Sequence, residues 1–166
     1  MIQAVRDNDP VIFCEHKSLH HIQEDVPESS YAIPFGESNI LREGGDATIV
    51  AFGFMVKKSM EAASKLAKEG IQCEVIDPRT TSPLDLETII ESVENTGRLV
   101  VVDESNPRCS IAADISAQIT EQAFNSLKGP VKMVTAPHCP PPFSDVLEDL
   151  YIPSSEKIAE AVKSLN

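Results

Sequence analysis

A cysteine and a histidine are the first candidates for chemistry in this sequence. Cys109 and Ser110 precede a segment with helical apolar spacing, and a helix N-terminus lowers the pKa of a nearby thiol. His138 follows the next apolar run, so Cys109 and His138 are candidates for a nucleophile and the base that activates it. No sharp strand-to-helix turn of the hydrolase kind is visible, however, and buried cysteines usually act as small apolar side chains. An independent α/β enzyme using this pair therefore remains the alternative hypothesis.

Two aspartates stand where apolar runs end. Asp77 and Asp103 occupy positions at which a receiver-like fold places a phosphate acceptor or a magnesium ligand. Aspartate is also common in turns, where its side chain accepts hydrogen bonds from the following backbone. We expect the turn-capping role at both positions.

The remaining histidines and cysteines give no metal site. His16, His20 and His21 include an adjacent pair that would chelate poorly, and we expect all three on the surface. The four cysteines lie far apart with no CxxC pair, which disfavours zinc and a disulfide framework.

Composition excludes several classes of function. The formal net charge of -12 disfavours nucleic acid and anionic membranes as partners. The sequence contains no glycine-rich phosphate loop and no apolar run as long as a membrane span. The N-terminal residues MIQAVRDNDP lack the basic flank and apolar middle of a signal peptide, so we expect a cytoplasmic protein.

The predicted strands and helices that would position these groups alternate along the chain. Leu99 to Val102 is too short for a helix and too continuously apolar for a half-exposed strand, so it predicts a strand covered on both faces. A polar turn, 104–108, then leads to a helix whose apolar positions are Ile111, Ile115, Ile119, Ala123 and Leu127. This strand, turn and helix form half of a parallel crossover unit.

Three further strands are predicted at 48–52, 73–76 and 131–134. A helix follows the first of them and ends near Gly70. The next begins at a capping-box arrangement of Ser82 and Asp85 and stops at Gly97. A short helical turn is predicted at 145–151, and a last helix is capped by Ser154. The pattern predicts an α/β fold with helices on both faces of a mostly parallel sheet.

The N-terminal part of the sequence does not follow this alternation of strands and helices. A charged turn, 6–9, precedes an apolar run, 11–14, which predicts one strand with no helix before it. The following thirty residues contain Pro27, Pro34, Gly36, Gly44 and Gly45 with little periodicity, which is typical of a linker.

The chain also resembles a known family along nearly its whole length. The segments VIFCEHK, VPESSYAIPFGESNILREGGDATIVAFGFMV and CEVIDPRTTSPLDLETIIESVENTGRLVVVDES resemble, in this order and spacing, the C-terminal half of the beta subunit of thiamine-diphosphate-dependent 2-oxo-acid dehydrogenases. NPRCSIAADISAQI and TAPHCPPPFSDVLEDLYIPS look more like the pyruvate and acetoin dehydrogenase type than the branched-chain type.

The resemblance implies a fold and a domain organisation. We expect a three-layer α/β/α sandwich with a mixed five-stranded sheet, the transketolase C-terminal domain type, in which an extra strand comes from 33–40 or the linker around it. Residues 1–22 would be a remnant of the pyrimidine-binding domain, 23–45 a linker and 46–166 the α/β domain.

The resemblance also implies what this chain lacks and what it contacts. The glutamate that activates thiamine would lie in the preceding domain, so the complete enzyme, rather than this chain alone, would bind thiamine diphosphate and magnesium. The isolated chain is expected to be inactive. A partial potassium site would use Ala4, Val5, Asp7 and Asp9. The implied partners are an alpha subunit, a second beta subunit in a homodimer or larger oligomer, and the lipoyl acyltransferase core.

Overall fold

A five-stranded mixed sheet forms the centre of the computed structural model, which describes residues 1–165. In spatial order β1-β3-β2-β4-β5, three neighbouring pairs are parallel and β1 is antiparallel to β3. The strands are β1 (Asn39–Arg42), β2 (Ala47–Ala51), β3 (Cys73–Asp77), β4 (Leu99–Asp103) and β5 (Lys132–Thr135). The expected α/β class and mixed five-stranded sheet are confirmed.

Helices cover both faces of this sheet. Four helices do so: α2 (Phe54–Lys68), α3 (Leu86–Thr96), α4 (Ile111–Gln122) and α6 (Ser155–Lys163). Two shorter helices, α1 (Ile2–Arg6) and α5 (Asp145–Tyr151), contain no buried residue. One core cluster joins the sheet to α2 and α6, and a second joins its other face to α3 and α4. Every residue of β2 and β4 is buried, as expected for strands covered on two sides.

A hydroxyl cluster lies inside the second layer. Thr48 Oγ1 of β2 lies 2.6 Å from Ser92 Oγ and 2.8 Å from Thr96 Oγ1, both on α3. Because these three side chains are nearly inaccessible, their hydroxyls form hydrogen bonds with one another, and Thr96 Oγ1 also donates to Arg98 O at 3.3 Å.

The start of α3 differs from the sequence prediction. Asp85, rather than Ser82, is the N-cap, because its Oδ1 accepts from Thr88 N at 3.2 Å and its Oδ2 accepts from Thr88 Oγ1 at 2.8 Å. Oδ2 also accepts from Ser38 N at 2.7 Å, which attaches the segment before β1 to this helix. Burial acts to raise the Asp85 pKa, but these donated hydrogen bonds leave it lowered.

The helix α4 also ends earlier than its apolar spacing predicts. Its backbone continues only to Gln122, and a 3-10 turn, Phe124–Ser126, follows. Ala123 and Leu127 nevertheless contact the same core layer, which explains why they fit the helical spacing.

The N-terminal prediction is wrong in two respects. Residues 2–6 form a helix, and no strand is present at 11–14. A strand is stabilised by hydrogen bonds to a neighbouring strand, and no neighbour lies beside 11–14 in the part of the chain described. Ile12 is 92% exposed there.

The extra strand lies at the end of the predicted linker. It is β1 at 39–42, overlapping only the end of the expected 33–40 range. Gly44 follows it where the chain passes against β3: a Cβ on Gly44 would lie 2.4 Å from the carbonyl carbon of Cys73. The boundaries 1–22, 23–45 and 46–166 stay predictions. No helix among residues 1–165 is both long and apolar enough to cross a membrane.

Candidate functional site

Several polar side chains meet at the carboxyl end of β4. Asp103 closes the strand, and its Oδ1 accepts from Ser105 N at 3.0 Å. Its Oδ2 accepts from Ser105 Oγ at 2.5 Å. At the end of β3, Asp77 Oδ1 accepts from Arg79 N at 2.9 Å. Both aspartates therefore cap the following turn, and the turn-capping prediction is confirmed.

Next to Asp103, Glu104 meets a histidine from the N-terminal segment. His16 Nε2 lies 2.8 Å from Glu104 Oε1. The His16 ring stacks on Phe54 with ring centres 5.3 Å apart. Lys58 Nζ lies 5.4 Å from the centre of the same Phe54 ring. His16 was expected on the surface, but only 25% of its side chain is exposed.

The environment of Glu104 changes its acidity. Burial raises its pKa, and the neighbouring His16 opposes that rise. The charges of Asp103 and Glu148 raise the pKa further. Oε2 of Glu104 is buried without a hydrogen-bond partner among residues 1–165. The carboxylate is therefore held by His16 through one oxygen only.

The structure does not support the Cys109/His138 pair. His138 Nδ1 lies 3.4 Å from Asn106 Oδ1, and no hydrogen bond joins His138 to Cys109 in the described residues. Cys109 stands just before the N-cap Ser110, with φ of 53° and an exposed side chain. His138 instead lines a shallow recess of about 360 Å³ with Asn106, Cys139, Pro140, Pro141 and Tyr151.

The residues predicted for potassium lie at the start of the chain. Ala4 and Val5 belong to α1, and Asp7 Oδ1 accepts from Asp9 N at 3.0 Å. Within residues 1–165, no three or more His, Cys, Asp or Glu side chains gather in a way that could hold a metal ion. The potassium site stays a prediction.

The side chains that line the larger of the two described recesses do not fit thiamine diphosphate. A magnesium-bound diphosphate requires oxygen ligands for the metal and cationic or backbone donors for the phosphates. The larger surface recess, about 670 Å³, is lined by Leu19, Ile22, Gln23, Glu24 and Val26, which include no cationic group. This recess therefore offers no group that would hold the diphosphate.

Two structural features near the carboxyl end of β4 are not among the sequence predictions. The contact between His16 and Glu104 joins distant parts of the chain, and no local pattern indicates it. The outward apolar side of α5 does have a signal, because Phe143, Val146, Leu147 and Leu150 recur at helical spacing.

Comparison with known proteins identifies the family. A model described as "Transketolase, C-terminal domain" matches residues 36–158, which include all five strands. This chain belongs to the transketolase C-terminal domain family. The match confirms the fold expected from the resemblance.

Among curated proteins, this member of the family is similar to dehydrogenase beta subunits. It is 63% identical over 163 residues, 98% of its length, to the beta subunit of acetoin:2,6-dichlorophenolindophenol oxidoreductase of Cupriavidus necator. It is 44% identical over 99% of its length to the pyruvate dehydrogenase E1 component subunit beta of Bacillus subtilis. The chain covers 48% of the first relative and 51% of the second, about half of each.

A solved structure described as "Split gene transketolase, inactive beta4 tetramer" is also similar. It has a TM-score of 0.72 and 28% identity, and the match covers 86% of this chain and 45% of that chain. The transketolase C-terminal fold thus accounts for most of this chain and for just under half of that one.

Proposed function

We propose that this chain is the C-terminal half of the beta subunit of a thiamine-diphosphate-dependent dehydrogenase component of the pyruvate and acetoin type. The observation that carries the proposal is the 63% identity to an acetoin oxidoreductase beta subunit over 98% of this chain. The 44% identity to a pyruvate dehydrogenase beta subunit supports the same class. Acetoin is the favoured substrate of the complete enzyme, because the identity is higher for that relative.

The role of this half is assembly. Its sheet and four helices bury two continuous core layers, so it forms a complete scaffold around β2 and β4. Val5, Ile12 and Phe13 are 80%, 92% and 50% exposed in the N-terminal segment. Large exposed apolar side chains within one segment favour a surface that another structure covers. The preceding half of the beta subunit is the natural cover, because it would join the chain at this end.

The cofactors and partners follow from this assignment. Thiamine diphosphate and magnesium belong to the complete enzyme, where residues outside this chain hold them. Potassium would bind Ala4, Val5, Asp7 and Asp9 together with ligands from the preceding half. The alpha subunit, a second beta subunit and the lipoyl acyltransferase core are the proposed partners, and the cytoplasm is the proposed location.

Complementation tests this function. The chain is mixed with a separately expressed first half of the Cupriavidus necator beta subunit, its alpha subunit, thiamine diphosphate and magnesium. We expect acetoin-dependent reduction of 2,6-dichlorophenolindophenol that requires this chain, with slower reduction when pyruvate replaces acetoin. Omitting the chain is the control. Absence of dye reduction with both substrates, in a mixture where the intact relative is active, would contradict the proposal.

A further inference from the structure

The neighbouring strands β2 and β4 send the chain to opposite faces of the sheet. After β2 the chain enters α2, which packs with α6 in one core layer. After β4 it leads to α4, which packs with α3 in the other core layer. Open α/β sheets form a crevice at such a point, outside the carboxyl ends of the strands, and they bind ligands there. The crevice between β2 and β4 is therefore a candidate binding site.

The side chain of His16, from the N-terminal segment, occupies this crevice. Its ring stacks on Phe54, the first residue of α2, with an interplanar angle of 15°. Its Nε2 lies 2.8 Å from Oε1 of Glu104, the first residue after β4. One imidazole ring thus contacts the chain that leaves both strands, as a ligand bound in the crevice would.

The contacts of the two ring nitrogens define how the imidazole is recognised. The backbone N of Ser18 donates to His16 Nδ1 at 3.2 Å. Nδ1 therefore carries a lone pair, which leaves the proof of recognition to Nε2, the nitrogen that carries the proton. Nε2 is placed to donate to the carboxylate of Glu104. The crevice thus recognises the flat face of an imidazole through Phe54 and its N–H through a carboxylate.

The carboxylate of Glu104 has no other donor among residues 1–165. Its Oε2 is buried without a hydrogen-bond partner, and its Oε1 is paired with His16. The nearby groups Asp103 and Glu148 are carboxylates, which cannot neutralise its charge. A partly buried carboxylate costs free energy unless a donor satisfies it. This position therefore requires a donor from another part of the molecule or from a ligand.

His16 is also the main anchor of an exposed stretch of chain. Between residues 8 and 20, only His16 and Leu19 are not exposed. The side chain of His16 is 25% exposed, whereas that of His20 is 53% exposed. The ring in the crevice therefore holds a segment that makes little other contact with the α/β domain.

We propose that the crevice between the carboxyl ends of β2 and β4 is a binding site for an imidazole ring that carries an N–H, and that His16 fills it as an internal ligand. Glu104 accepts from the N–H, and Phe54 supplies the flat surface. Filling the site fastens the N-terminal segment to the α/β domain. An external ligand for this site is a flat heterocycle with an N–H donor, and it competes with His16. This assignment does not depend on the proposed function.

The first test empties the crevice in this chain with His16→Ala. The probes are imidazole, 4-methylimidazole and 1-methylimidazole, added to the variant at about pH 9, where the free rings are neutral. They are added in large excess, because the tethered ring of His16 has a high effective concentration that free rings lack. Nuclear magnetic resonance follows the Phe54 ring and the Glu104 amide, and circular dichroism checks that the variant is folded.

We expect imidazole and 4-methylimidazole to bind the variant saturably and to shift both sets of resonances. Neutral 1-methylimidazole has no N–H for the carboxylate, so it should bind about tenfold more weakly. The wild type should not bind the rings at concentrations that saturate His16→Ala, because its own histidine fills the site. Equal binding of the three rings, absence of saturable binding to the folded variant, or equal binding to the wild type would overturn the proposal.

A second test measures the fastening and does not need His16→Ala to fold. Lys17 is exposed beside the anchored ring, so the rate of trypsin cleavage after Lys17 reports release of the segment. Glu104→Ala removes the acceptor without changing the sequence around Lys17, and it should speed cleavage about threefold. Glu148→Ala is the matched control, because it removes a nearby exposed carboxylate and keeps Glu104. Unchanged cleavage in folded Glu104→Ala, or an equal increase in Glu148→Ala, would overturn the role of His16 as an internal ligand.

Discussion

His16 and Glu104 join the N-terminal segment to the end of the central strand. Nε2 of His16 lies 2.8 Å from Oε1 of Glu104, and the same imidazole ring stacks on Phe54 at the start of α2. The second Glu104 oxygen is buried without a partner among the described residues. His16 is therefore the main stabilising neighbour of this carboxylate, and its removal has a predictable effect.

Replacing His16 with alanine should lower the free energy of unfolding by about 0.5–1 kcal/mol, because the pair is partly exposed to solvent. Burial already raises the Glu104 pKa, and loss of His16 raises it further. A carboxyl with a raised folded-state pKa destabilises the fold when it ionises, so the difference from wild type should widen as the pH rises from 4.5 through the range in which Glu104 ionises. Urea unfolding at several pH values measures this. His20→Ala is the control, since His20 is 53% exposed. A constant difference across pH would contradict the interpretation.

Gly44 should tolerate no side chain. A Cβ at this position would lie 2.4 Å from the backbone carbonyl carbon of Cys73, and backbone cannot move aside as a flexible side chain can. Gly44→Ala should therefore lower the free energy of unfolding by about 1–3 kcal/mol. Gly45→Ala is the matched control, because a Cβ there meets nothing within 4 Å. Equal thermal unfolding midpoints for the two variants would contradict the close approach of Gly44 to the Cys73 backbone.

The hydroxyl cluster under β2 gives a third prediction. Thr48→Val keeps the shape of the side chain but leaves Ser92 and Thr96 without their shared buried partner. The expected loss is about 1–3 kcal/mol of unfolding free energy, measured by chemical denaturation. Thr120→Val is the control, because Thr120 is exposed on α4 and donates only to Ser116 O. A Thr48→Val loss no larger than that of the control would contradict this account.

The parts of the fold that could be predicted from the sequence are those with a local cause. Leu99 to Val102 is continuously apolar because β4 is covered on both faces. Gly97 was expected to stop α3, and it does so in the left-handed conformation with φ of 77°. Ser154 was expected to cap α6, and its Oγ accepts from Lys157 N at 3.3 Å.

The parts that could not be predicted depend on distant residues. Asp85 caps α3 in place of Ser82 partly because Ser38 N, far away in sequence, donates to the same carboxylate. The apolar run at 11–14 suggested a strand, but no neighbouring strand is present to pair with it in the described residues. The contact of His16 with Glu104 also depends on residues far apart in sequence, since only the folded chain brings the two side chains together.

The four cysteines should differ sharply in reactivity. Burial raises the pKa of Cys73 to about 11, helped by the charge of Asp46, whereas Cys14, Cys109 and Cys139 are exposed. Because the thiolate is the reactive form, iodoacetamide at about pH 8 should modify the three exposed thiols and leave Cys73 unmodified until the protein unfolds. Because the folded-state pKa lies above the ordinary value of 9.0, stability should fall as the pH rises from 9.0 towards 11. Peptide mass spectrometry and alkaline unfolding measure the two effects, and rapid native labelling of Cys73 would contradict them.

The size of the complex that contains this chain tests the assembly role most directly. Sedimentation velocity is measured on the chain alone and then with the first half of the Cupriavidus necator beta subunit and the alpha subunit. The account predicts that the chain moves from a small species into one larger particle that contains all three polypeptides. A chain that sediments separately, while the relative's intact beta subunit forms the complex under the same conditions, would contradict it.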